Sequence, residues 1–128
     1  MGGGGEKNTN FNTMETTKHI NLNYLNTIAD GNDAFVKEML QMLRAEIPSL
    51  LDEIQTTLQE KNWHRLNRIA HKLKPHFEML GINSIYEDIR NIENFSLEQT
   101  NLEQIPGLVN KVIDTCQQAL LELKSEYL

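Results

Sequence analysis

Apolar residues along this chain recur at steps of three and four, and no stretch alternates with a period of two, so the pattern predicts helices and no strands. The clearest helix spans Asn62 to Gly81. Trp63, Leu66, Ala70, Leu73, Phe77 and Leu80 form its inner stripe, with Ile69 beside them. Asn62 can cap the first turn, and Gly81 can take the left-handed conformation that ends the last. Upstream, Asn32 is placed to cap a long helix to about Glu60. Its inner face, from Phe35, Val36, Met39 and Leu40 through Leu43, Ile47, Leu50, Leu51, Ile54 and Leu58, is wide enough for two neighbours. Pro48 lies inside it, which predicts a kink or a break near Ala45 to Pro48. The tight link at Lys61 and Asn62 makes these two helices antiparallel neighbours.

A short helix from Ile20 to Asp30, capped by Asn21 or Asn23, should turn Leu22, Leu25, Ile28 and Ala29 inward as a lid. Beyond Gly81 a further helix runs from about Asn83 to Asn94 on Ile82, Ile85, Ile89 and Ile92. A polar connection from Phe95 to Gln104 follows. The last helix starts near Ile105, with Pro106 in its first turn and Val109, Val112, Cys116, Ala119 and Leu123 on its inner face. The sum is an all-α fold: an antiparallel up-and-down four-helix bundle with a short N-terminal capping helix, in one domain over residues 19–128. Residues 1–18 are rich in Gly, Asn and Thr and poor in apolar groups, and read as a disordered tail or a linker.

Composition narrows the functions open to such a fold. A chain of 128 residues suits one domain with a modest core. The net charge of -6 argues against nucleic acid as a partner. The single cysteine, Cys116, cannot form an internal disulfide and reads as a buried thiol. Met14, Met39 and Met42 read as gap-filling core or surface, not as a metal site. No run approaches the ~18 apolar residues of a membrane span, and no apolar leader opens the chain. The expectation is a cytoplasmic monomer without direct membrane contact.

Against that acidic background, three of the four histidines gather in the helix from Asn62 to Gly81. On its wheel His71 points about 145° away from the centre of the apolar stripe, and therefore faces water. His64 and Arg68 share its face, Lys72 and Lys74 flank it, and Lys61, Arg65 and His76 add cationic character. A water-facing imidazole among cations suits holding or receiving a phosphoryl group. A metal site is disfavoured, because no Glu-x-x-His occurs and His71 and His76 are five apart instead of four. Nor is there a Gly-rich phosphate loop, so no autonomous kinase is expected.

Ala70-His71-Lys72-Leu73-Lys74, followed by Gly81, resembles the signature of histidine-containing phosphotransfer (HPt) domains, Ala-His-x-Leu-Lys-Gly with a second glycine ten residues after the histidine. The pattern fails at Pro75, where the family usually has glycine; helix order and spacing extend the likeness over residues 20–127. The resemblance implies a phosphorelay intermediate. His71 would accept a phosphoryl group from a receiver-domain aspartate and pass it to another receiver. The receiver would bring the Mg²⁺, so the domain would need no cofactor of its own. Lys74 would pair with phosphoryl oxygens, and His64, Arg68, Lys72, Pro75 and His76 would meet the partner. Proline is also compact at the place where glycine leaves room for the partner's loops. In several such domains a glutamine on the next helix meets Nδ1 of the histidine, and the same spacing lands on Glu93, an orienter of His71. The alternative is a helical interaction module that is never phosphorylated.

Overall fold

Two asparagines open the two main helices. In the computed structural model, which describes residues 18–128, Asn32 accepts the N–H of Phe35 at 3.0 Å and Asn62 accepts that of Arg65 at 3.2 Å. Each satisfies an amide that the first helical turn leaves without a partner. Five α-helices follow in order: α1 Asn23–Ala29, α2 Asp33–Gln59, α3 Trp63–Leu80, α4 Tyr86–Glu98 and α5 Ile105–Glu122. Single 3₁₀ turns at Asn83–Ile85 and Leu102–Gln104 lead into α4 and α5, and a π turn at Leu123–Tyr127 closes the chain. All elements among the described residues are helical. The tail expected over residues 1–18, and Met14 with it, falls outside them except for Lys18.

Helix α3 is the hub. It packs against α1, α2 and α4, while α4 packs on α5 and α5 returns to α2. Leu66, Ala70, Leu73 and Phe77 of its stripe are buried together with Leu43, Ile47 and Ile54 of α2, Ile89 and Ile92 of α4, and Val109, Val112 and Cys116 of α5. Burial pushes the Cys116 thiol up to about 12, which makes it an inert core group.

The C-terminus of α3 is closed by backbone geometry. Gly81 is left-handed (φ 65°), its N–H bonds to Glu78 O, and Ile82 N–H bonds back to Phe77 O, the paired arrangement of a Schellman motif. Asn21 crosses directly above, donating its N–H to the Leu80 carbonyl at 2.8 Å. A Cβ on residue 81 would run into the Asn21 backbone, so glycine is required here both by conformation and by close approach.

Several expectations need correction. Of the kink or break expected at Pro48, the break is excluded, because α2 runs through it as one helix. Pro48 is exposed, so water can reach the Arg44 carbonyl that the missing N–H leaves over. Helix α1 is shorter than expected. Leu25 and Ala29, four apart, take its inward line, and Ile28, one position off it, is 47% exposed. Trp63 is only partly buried at the edge of the core. Helix α4 continues through Phe95, Ser96, Leu97 and Glu98. Ser96 is buried there, with its hydroxyl donated to Ile92 O at 2.6 Å. A residue that reads as loop thus satisfies itself on the helix.

Candidate functional site

The same stripe that buries Ala70 and Leu73 turns His71 and Lys72 between them outward. The side chain of His71 is 72% exposed. Across from it, Glu93 follows the buried Ile92 on α4 and sits at the margin of the α3–α4 contact, with its side chain 15% exposed. Its backbone is tied to α3: Asn67, one turn before His71, donates its amide N–H to the Glu93 carbonyl at 2.7 Å. Ser96 Oγ donates to the same carbonyl at 3.1 Å.

Both carboxylate oxygens of Glu93 are occupied. Oε2 lies 2.7 Å from His71 Nδ1, and Oε1 accepts from Lys74 Nζ at 2.8 Å. Burial of Glu93 works against its charge, but the hydrogen bonds from Lys74 and His71 outweigh it and hold the carboxyl below the usual carboxylate range. Its hydrogen bond to Glu93 in turn raises Lys74 above the ordinary lysine value. An ionised carboxylate can only accept, so Nδ1 must carry the proton it shares with Glu93. In the neutral ring that leaves the lone pair on Nε2, the nitrogen turned away from Glu93.

The structure divides the remaining candidates. His64, Arg68 and Lys72 are exposed on the outer face of α3, and among the described residues none bonds to His71 or Glu93. Pro75 is exposed one turn beyond His71, and α3 continues through it without a break. His76 does not join the open face. Its ring is turned towards α2, where Nε2 lies 2.9 Å from Glu46 Oε1. Between these helices opens a groove of about 1020 Å³, walled by Ala45, Ser49 and Leu50 of α2 and by His71, Pro75 and His76 of α3, with Tyr86 of α4 at its rim. Sequence reasoning missed Asn67 and Ser96. Both act on main-chain carbonyls, and nothing in the local pattern marks such a partner. Among the described residues no group of three or more His, Cys, Asp or Glu is placed to hold a metal ion, and no helix is long and apolar enough to cross a membrane.

An exposed imidazole held at Nδ1 by a carboxylate has its Nε2 free to act as a nucleophile. The model of the Hpt domain family matches residues 38–126, a stretch that holds His71, Lys74 and Glu93 and runs from within α2 to the last turn. The chain belongs to the Hpt domain family. Comparison with curated proteins and with solved structures gives no match. Hpt domains are the histidine phosphotransfer modules of two-component systems; they interact with receiver domains and in general have no kinase activity. The match leaves out the segment that crosses Gly81, α1 and the start of α2.

Proposed function

We propose that this Hpt domain is a phosphorelay intermediate in which His71 takes a phosphoryl group from a receiver aspartate and gives it to a second receiver. The observation that carries the reading is the bond between His71 Nδ1 and Glu93 at 2.7 Å on an otherwise exposed ring. Neutral His71 attacks the phosphorus of an aspartyl phosphate through Nε2. The N–P bond forms as the bond to the aspartate oxygen breaks, and the aspartate leaves as a carboxylate. The Nδ1 proton stays where it is, facing Glu93. Transfer to the next receiver is the reverse.

Lys74 contributes a mobile cation for the phosphoryl oxygens. His64, Arg68 and Lys72 form a cationic approach that steers an acidic receiver pocket towards His71, and Pro75 and His76 line the groove beside it. The helices form an antiparallel up-and-down four-helix bundle with α1 as its cap, in a domain spanning residues 19–128 that works as a cytoplasmic monomer. It needs no cofactor of its own.

Incubation with a phosphorylated receiver, followed by mass spectrometry of the intact protein and its peptides, tests the reading. The label should appear on His71 and be absent from a folded His71→Gln variant. Label retained by that variant on His64 or His76 would overturn the assignment. A folded wild-type protein that never takes label would leave a helical interaction module as the function.

A further inference from the structure

Glu93 carries two donors on one carboxylate, and only one of them can be needed at each stage of a transfer. While the His71 ring carries no charge, that of Glu93 is balanced by the Lys74 ammonium, 2.8 Å from Oε1. Once Nε2 has bonded to phosphorus, the ring is an imidazolium whose Nδ1–H faces the same carboxylate. Glu93 then has a second cation, while the phosphoryl oxygens bring new negative charge next to Lys74. A lysine on a flexible stem can follow that charge.

We infer that Glu93 serves these two cations in turn, Lys74 before phosphorylation and the phosphoimidazolium after it, and so makes the phosphoryl group on His71 a short-lived donor, not a store. This rests on the phosphorelay reading above and adds a direction to it. The chemistry follows from the leaving group. With Nδ1 protonated, the N–P bond breaks with its electron pair returning to Nε2, and the ring departs neutral with no proton moved. With Nδ1 deprotonated, the ring would have to depart as an imidazolate anion, a far poorer leaving group. A carboxylate that can only accept holds that proton in place as the pH rises. The Glu93 backbone is held in place, with Asn67 of α3 and Ser96 of α4 both donating to its carbonyl. The charged and titratable groups around this corner are His71, Lys72, Lys74, His76 and Glu78 of α3, Glu46 of α2 across the groove, and Tyr86 and Arg90 of α4. Glu93 is thus a positioning residue that acts through His71.

The test uses the whole chain, phosphorylated with phosphoramidate, which gives up its phosphoryl group to Nε2 with loss of ammonia. ³¹P NMR then follows the decay of the phosphohistidine, and its transfer to an unphosphorylated receiver, from neutral to alkaline pH. Wild-type protein should lose its phosphoryl group at a nearly constant rate across that range. Glu93→Gln, which keeps the shape of the side chain, should bend the profile and lengthen the lifetime roughly tenfold on the alkaline side, the worth of one charge-assisted hydrogen bond. Lys74→Gln separates charge from packing. It leaves Glu93 on the ring and should shorten the lifetime without bending the profile. Identical profiles for wild type and Glu93→Gln, with the label on His71 in both, would overturn the inference and leave the phosphorelay reading standing. A bend in Lys74→Gln equal to that in Glu93→Gln would also overturn it, by assigning the effect to the packing of the wall. Absence of label from His71 in every protein, with phosphoramidate and with a phosphorylated receiver alike, would overturn both.

Discussion

Helix α3 carries two histidine–glutamate pairs five residues apart, and they are built inside out with respect to each other. At the first, the imidazole of His71 is 72% exposed and its carboxylate partner Glu93 only 15%. At the second, His76 is 16% exposed and Glu46 51%. The carboxylate in the wall is fixed by its neighbours and takes Nδ1, which leaves Nε2 facing outward. The carboxylate at the surface takes Nε2 itself, and the His76 ring lines the groove. Under the proposed phosphorelay function, which partner is buried and which nitrogen the acid occupies decide whether a lone pair is offered to a visiting phosphorus.

The contrast can be broken most directly at the rings. His71→Gln should abolish phosphoryl uptake from a receiver, whereas His76→Gln should slow it no more than about tenfold, as the loss of one hydrogen bond would. Comparable losses in a transfer assay would erase the distinction between the two pairs. The carboxylates come next. Glu93→Ala removes the partner of both His71 and Lys74 and should cost about 1–3 kcal/mol in urea unfolding. Glu46→Ala removes half of an exposed pair and should cost less than about 1 kcal/mol. Lys74→Ala removes a single charge-assisted contact, with an expected loss of about 1 kcal/mol in stability and a slower transfer or a shorter phosphohistidine lifetime. Wild-type values of all three would make Lys74 an ordinary surface lysine.

The smallest effect is in pH. Glu93 titrates below its ordinary range, so its contribution is complete above that range and is lost as pH falls through the lowered value. Lys74 titrates above its ordinary value, so its contribution is complete below that value and is lost as pH rises through the raised one. The stability difference between wild type and Glu93→Ala should therefore shrink below about pH 4 and above about pH 10, read as urea midpoints across pH. Midpoints equally far apart at both extremes would show that neither charge contributes.

Much of this arrangement is legible in the sequence because it follows from helical periodicity. The stripe from Leu66 to Leu80 fixes which way His71 points, and the caps at Asn32, Asn62 and Gly81 are local chemistry. The placement of Glu93 opposite His71 came instead from the likeness to a family. What could not be read depends on contacts between helices. Asn67 and Ser96 bond to main-chain carbonyls, which no side-chain pattern specifies. The turn of His76 towards Glu46 depends on how α2 lies against α3. Ile28 and Trp63 sit shallower than their periodicity predicts, because periodicity gives a direction, while depth is set by what packs opposite. Pro48 predicts a kink or a break, yet α2 runs through it, with the freed carbonyl where water can reach it.

The close passage of Asn21 over Gly81 has a consequence for where this protein can be cut. The family match begins at Glu38, yet the main chain before α1 is stitched to the C-terminal ends of both α3 and α5. Asn21 covers the last carbonyl of α3. His19 and Ile20 give their N–H groups to the buried Glu122 carboxylate at 2.7 and 3.2 Å, against the last turns of α5. Truncation at the edge of the match would strip these partners away, leave Glu122 without donors and lay open the core beneath Ile20 and Leu25. The recognisable segment is thus shorter than the cooperative one, and expression boundaries drawn for this protein belong upstream of His19.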